Sequence, residues 1–229
     1  NRDLKWEKAH QYDIGMDLSL FSNSFKVTVD IFQKDTKDLL YNKPTSAVSG
    51  FTYKISNIGS IRNRGLEITL GGDLSYSDFR WTGDFNIAFV KNRLTSLTDD
   101  DDILTTDDYH ALKVGEEVGS FYLIKMLGIY QSDEEVPETL YKEGVRAGDI
   151  RYEDVNRDGR IDTVNDSQFV GSANPLFTGG FSNTFKWRGL DLKIFLTFSY
   201  GNQLYQTWTG GLRLGNGQWP AQRSEALAR

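Results

Sequence analysis

The chain has 229 residues and a net charge of −6, with a sequence pI of about 5.0; that balance argues against a nucleic-acid partner. It has no cysteine, which excludes a disulfide scaffold and thiolate metal sites. No run of about 18 apolar residues exists, so no transmembrane helix is predicted, while 13% aromatic residues, 22 Gly and only 4 Pro suit long strands and tight turns.

In chain order, Tyr12, Ile14, Met16, Leu18 and Leu20 alternate with Asp13, Gly15, Asp17 and Ser19. After a turn at Ser22-Asn23-Ser24, Phe25, Val27, Val29 and Ile31 alternate with Lys26, Thr28 and Asp30. Strand side chains point to opposite faces with period two, so each arm has an apolar and a polar face. Residues 42–56, with Pro44 and Gly50, read as a loop. Leu66, Ile68 and Leu70 begin a second hairpin, turn at Ser75-Tyr76-Ser77-Asp78, and return through Trp81, Gly83, Phe85, Ile87 and Phe89. From Asn92 a polar loop follows, with an acidic run Asp99 to Asp102 read as solvated charge. The third hairpin runs Phe177 to Tyr200 about Arg188-Gly189. Asn183 is the one polar break on its first apolar face, and Phe195 is the exception on its second polar face.

The arms of this last hairpin are about 11 residues long, where a globular strand has about 5–6 and a tilted bilayer-crossing strand needs about 9–11. Apolar-out, polar-in alternation over that length predicts an all-β fold, part of a large antiparallel transmembrane β-barrel. A mean hydropathy of −0.48 does not oppose this, because alternation averages out. Hairpins are expected at about 12–41, 64–91 and 177–205. Their short turns, near Asn23, Ser77 and Gly189, are read as periplasmic, and the loops near Pro44, Asp101 and Asn216 as extracellular. Phe79, Trp81, Phe185 and Trp187 would then mark one interface, and Tyr41, Tyr200, Tyr205 and Trp208 the other. Parity requires an even number of crossings between the second and third hairpins. Residues of about 95–174, whose one good apolar run, Phe121 to Tyr130, has no clear partner, are read as one long extracellular excursion. No leader opens the sequence at Asn1, and the chain is read as an internal piece of a longer protein.

Within the excursion, Asp154-Val-Asn156-Arg-Asp158-Gly159-Arg160-Ile161-Asp162 fits the front of a calcium loop. Asp154, Asn156 and Asp158 supply oxygens, Gly159 the sharp turn, Arg160 its carbonyl, and Asp162 a direct or water-mediated contact. Asn165 stands at the twelfth position, and Asp166 is taken as the closing carboxylate. An ion-free Asp/Asn-Gly turn is the other reading of the same residues. Catalysis has little support: His10 and His110 have no ligand-spaced partner, the acidic pairs Glu116-Glu117 and Glu134-Glu135 read as solvated loop charge, and no phosphate-binding Gly-rich loop leads into a helix. The chain is not expected to be an enzyme.

Several motifs together carry a family resemblance. Asn1-Arg-Asp-Leu-Lys-Trp-Glu7 resembles the N-P-x-L-x-W-E segment of SusC/RagA-like TonB-dependent transporters, with Arg2 in place of Pro. Thr36-Lys-Asp-Leu-Leu40, Asn57-Ile-Gly-Ser60 and Asn63-Arg-Gly-Leu-Glu67 are similar to that family's T-K-D-L-L, N-I-G and N-x-G-x-E motifs. Gly119-Ser-Phe-Tyr122, Gly128-Ile-Tyr-Gln131, Gly148-Asp149, the Asp154–Asp162 stretch and Asn174-Pro-Leu176 follow in the family's order. The resemblance implies a barrel of about 22 strands in the bacterial outer membrane, facing lipid outside. It also implies a plug that contacts TonB, a SusD-like lipoprotein as lid, and import of oligosaccharides or oligopeptides. Lumen-facing residues such as Asp17, Lys26, Asp30, Glu67, Asp84 and Lys193 would line the passage or face the plug. Phe51, Tyr53, Tyr122, Tyr205 and Trp208 are the aromatic candidates for substrate or lid contact. The alternatives are a secreted calcium-dependent β-sandwich that binds carbohydrate, and a small closed porin or adhesin barrel.

Overall fold

The computed structural model describes residues 4–45, 48, 50–98 and 103–205. Its strands in chain order are β1 (Lys8–Leu20), β2 (Phe25–Lys37), β3 (Leu40–Pro44), β4 (Tyr53–Asn57), β5 (Gly59–Tyr76), β6 (Phe79–Leu97) and β7 (Ile103–Thr105). Then come β8 (Ala111–Lys113), β9 (Ser120–Ile124), β10 (Met126–Ile129), β11 (Ile150–Tyr152), β12 (Ser167–Ser172), β13 (Phe177–Trp187) and β14 (Leu190–Tyr200). One short helix, α1 (Glu138–Lys142), lies between β10 and β11. Six long strands form one antiparallel sheet in the order β1-β2-β5-β6-β13-β14, which is open at both edges.

Register turns the alternation of each strand into two continuous faces. Leu18, Val27, Leu70, Phe85, Phe181 and Leu196 stand side by side across all six strands, and the next row is Met16, Val29, Ile68, Ile87, Gly179 and Phe198. On the opposite face Asp17, Thr28, Thr69, Asn86, Gly180 and Thr197 form a row, with the Thr28 hydroxyl donating to Asp17 Oδ1 at 2.6 Å. Among the described residues no second sheet stacks on the apolar face: Ile14 is 77% exposed, Ile31 58% and Leu192 57%. A sandwich would bury those side chains; a wall meant for lipid leaves them outward. The secreted β-sandwich is therefore set aside.

Cross-strand rings tie β6, β13 and β14 together on the apolar face. Phe85 meets Phe181 edge-on at 6.3 Å and stacks near Phe198 at 6.2 Å, while Phe177 stacks on Tyr200 at 5.2 Å. The structure also accounts for Asn183. Trp81 lies across Gly72 and Gly83, where any Cβ would meet its ring, and its indole N–H donates to Asn183 Oδ1 at 3.0 Å. The amide is thereby buried and partnered on a face where a bare polar group would be costly. At the turn between β13 and β14, Arg188 and Gly189 both have positive φ, 45° and 85°, the backbone that two-residue hairpins favour.

The departures from the sequence reading lie at the end of the sheet away from the short turns. Residues 42–56 hold the β3–β4 hairpin, paired from Leu40↔Asn57 to Pro44↔Tyr53. β6 continues past Asn92 to Leu97, paired Asn63↔Asn92 and Arg62↔Arg93. Beyond the lipid-facing belt nothing imposes apolar alternation, so polar pairs extend the ladder without a sequence signal. The apolar run 121–130 does have partners: β9 pairs with β12, and β10 with β11. Its register shifts at both ladders, which blurs the period-two pattern. The segment between β6 and β13 leaves and returns at adjacent strands and builds two small cores. One is Ile58, Leu94 and Leu112; the other is Tyr130, Val136 and Leu140, with Val145 and Ile161 packed on it.

Candidate functional site

The candidate site is the far end of the sheet with the excursion seated on it. Asn92, on the polar face of β6, holds the backbone of Val118 from both sides: Val118 N–H donates to its Oδ1 at 2.7 Å, and its Nδ2 donates to Val118 O at 3.4 Å. Asn174, just before β13, donates to the same carbonyl at 2.8 Å. The two amides pin the outgoing and returning ends of the excursion to one residue, Val118. After β14 the chain folds back, with Gln203 N–H donating to Ser172 O at 2.9 Å.

The four aromatic candidates among the described residues do not converge. Phe51 and Tyr53 are exposed around the β3–β4 connection, 73% and 58%. Tyr122 is on β9, its ring 5.0 Å from that of Phe169. Tyr205 stacks on Tyr109 at 4.0 Å and lies 6.4 Å from Phe121, which in turn is 4.9 Å from His110. Trp208 and the acidic run Asp99 to Asp102 lie outside the described residues. One broad face of Tyr205 is thus taken by protein, while Phe51 and Tyr53 present theirs outward. Tyr109 carries no signal in the sequence; Phe121, Asn92 and Asn174 stand in an apolar run, at a loop start and in a motif, but nothing local encodes the contacts they make here.

Asp107 organises the turn before β8. Its carboxylate accepts the N–H of Tyr109 at 2.8 Å and of His110 at 2.9 Å, and meets His110 Nδ1 at 2.9 Å. Burial pushes its pKa up, but the Tyr109 and His110 N–H groups and the His110 ring outweigh that and hold it below the usual carboxylate value.

The Asp154–Asp166 loop is closed by its own hydrogen bonds. Asp154 accepts the N–H groups of Asp158 at 3.2 Å and Gly159 at 2.8 Å; Asn156 Oδ1 accepts that of Asp158 at 3.1 Å; Asp158 accepts that of Arg160 at 2.8 Å. Gly159 has φ 78°, as the sharp turn requires. Asp162 accepts from Val164 and Asn165, and the Asn165 side chain is the first cause holding its pKa below normal. Asp166 is wholly buried and staples the ends, taking the N–H of Val155 and of Asp162 at 2.8 Å each. Among the described residues no group of three or more His, Asp or Glu side chains is arranged to hold a metal ion.

Comparison with known proteins agrees with this geometry. The model of the family described as TonB dependent receptor-like, beta-barrel, matches residues 1–119. A TonB-dependent receptor of Formosa agariphila is 32% identical over 91% of this chain and 23% of its own length. The TonB-dependent receptor SusC of Bacteroides thetaiotaomicron is 26% identical over 90% of this chain and 20% of its own. Among solved structures, the RagAB peptide transporter superposes with a TM-score of 0.72 at 25% identity, covering 88% of this chain and 22% of that one. The chain therefore spans about a fifth to a quarter of the length of the relatives it matches.

Proposed function

Because the chain belongs to the TonB dependent receptor-like β-barrel family, we propose that it forms wall and rim of an active importer of oligosaccharides or oligopeptides across the bacterial outer membrane. Proteins of this family are outer-membrane transporters, not enzymes. The observation that carries the reading is the single six-stranded sheet with an uncovered apolar face and a continuous polar one. In this reading the apolar face meets lipid and the polar face lines the passage or a plug. The short turns are periplasmic, and the excursion of about 95–174 is extracellular. TonB acts through a plug region elsewhere in the protein, and a SusD-like lipoprotein covers the mouth. Uptake of labelled oligosaccharides and oligopeptides, compared in cells with and without the protein, tests it. Uptake lost both on deletion and on collapse of the proton gradient is the expected result; uptake unchanged by deletion overturns the proposal.

We also propose calcium at the Asp154–Asp166 loop, on the spacing of Asp154, Asn156, Asp158, the Arg160 carbonyl, Asp162 and Asp166. Extracellular placement tolerates weak affinity, of the order of 10⁻⁴–10⁻³ M, and that is the range expected here. Calorimetry of the detergent-solubilised protein at millimolar calcium should show heat that Asp158→Ala abolishes. No heat with the unaltered protein removes calcium from the account.

A further inference from the structure

At the end of the sheet away from the short turns, a cavity of about 380 Å³ opens between the base of the β3–β4 hairpin, the far β5–β6 ladder and the turn before β8. That is within the size of small-ligand pockets, about 300–1,000 Å³. Its floor is Ile58, Leu94, Ala111 and Leu112, all buried, and Leu39 and Val118 stand at its sides. Ile61 and Leu94 share the face of β5 and β6 that carries Glu67 and Asn86, so the cavity lies on the polar side of the wall, where cargo passes in the import reading.

The polar side chains at the cavity are few: Thr106 and Asp107 are engaged, and the Tyr41 phenol and the second ring nitrogen of His110 are the others. Thr106 Oγ1 donates to His110 O at 3.1 Å, and the Asp107 carboxylate holds two backbone N–H groups and the His110 ring. A sugar seated here would bury more hydroxyls than the Tyr41 phenol and the His110 ring could partner in place of water, which is unfavourable. An apolar group meets the opposite situation: it leaves water for a lining made mostly of Leu, Ile, Val and Ala side chains. We propose that this cavity is a subsite for one apolar side chain, of leucine or phenylalanine size, on a peptide cargo. The assignment rests on the import reading above and narrows its substrate class to peptides.

The test uses the complete transporter with its partner lipoprotein in detergent. The probes are two octapeptides of Gly, Ser and Lys that differ at one central position, Leu in one and Ser in the other. Calorimetry should show the Leu peptide binding about tenfold tighter or more, the range expected for burying such a side chain. Ala111→Leu, which fills the floor, should remove the difference, and maltoheptaose should not compete. A second readout needs no variant: the peptide with photo-leucine at that position should cross-link within Ile58, Leu94, Ala111 or Leu112. Equal affinities of the two peptides, or a cross-link mapping elsewhere, overturns the subsite while TonB-dependent peptide uptake in cells keeps the import reading standing. Failure of both peptides to bind, with no TonB-dependent uptake of peptide or glycan, overturns the import reading and the subsite with it.

Discussion

Gly59→Ala is expected to leave most of the protein unassembled, at a cost of roughly 3–5 kcal/mol. Gly59 has φ 155°, and a Cβ there would fall inside the carbonyl of Ser96 on the neighbouring strand. The obstacle is backbone, so no rotamer change relieves it; β5 would have to move from β6 or slip its register. A slip by one residue turns the whole apolar set of a strand to the other face. The residues on either side fix the position further. The Asn57 side chain accepts Lys5 N–H at 2.8 Å and donates to Lys5 O at 2.9 Å and Asp38 O at 2.6 Å, and Ile58 is buried in the small rim core. Asn57-Ile58-Gly59 thus joins three chain segments, packs one side chain and lets two backbones meet. The migration of unheated protein in detergent gels, folded against unfolded, measures the effect. A Gly59→Ala protein with a normal folded fraction would show that the close approach does not matter.

The sheet was legible in the sequence because the environment outside it is uniform. Lipid demands an apolar side chain at every second position, and Ile14, Val29, Ile68 and Leu192 satisfy it strand by strand. Where that demand ends, so does the signal. Leu40 to Pro44 and Asn92 to Leu97 are strands without alternation, held by pairing with β4 and β5. The excursion is harder still. Its cores are assembled from residues far apart in sequence, such as Tyr130 with Ile161 and Ile58 with Leu112. As loop aromatics, the candidate rings are expected to stand exposed. Tyr205 instead packs on Tyr109, a contact between positions 96 apart that no local pattern encodes. The Asp154–Asp166 stretch was recognisable as a loop from its Gly159 and its side-chain oxygens. Its spacing does not show that the same oxygens also accept the loop's own N–H groups, as Asp154 and Asp166 do.

Trp81 and Asn183 should behave as one unit, and their coupling is the second large effect expected. Alone, Asn183 is a polar amide on an apolar face; alone, the indole N–H of Trp81 is a donor there. Paired at 3.0 Å, the indole N–H and the Asn183 carbonyl oxygen satisfy each other, and the ring covers Gly72 and Gly83. Trp81→Phe keeps most of the cover and leaves the amide without its donor, which should cost about 1–3 kcal/mol. Asn183→Leu leaves the indole donor unpartnered and should also destabilise. Trp81→Phe with Asn183→Leu removes both polar groups together, so the double variant should be closer to the unaltered protein than the sum of the singles, with a coupling of about 1 kcal/mol or more. Trp81→Ala should be the most damaging, roughly 3–5 kcal/mol, because it strips the ring from two adjacent glycines and leaves a cavity as well as an orphaned amide. Urea unfolding of the protein in lipid vesicles, read by fluorescence of the remaining tryptophans, gives the four free energies of the cycle. Strictly additive single effects would mean that the indole and the amide act independently, and that Asn183 is tolerated on this face for some reason other than its partner.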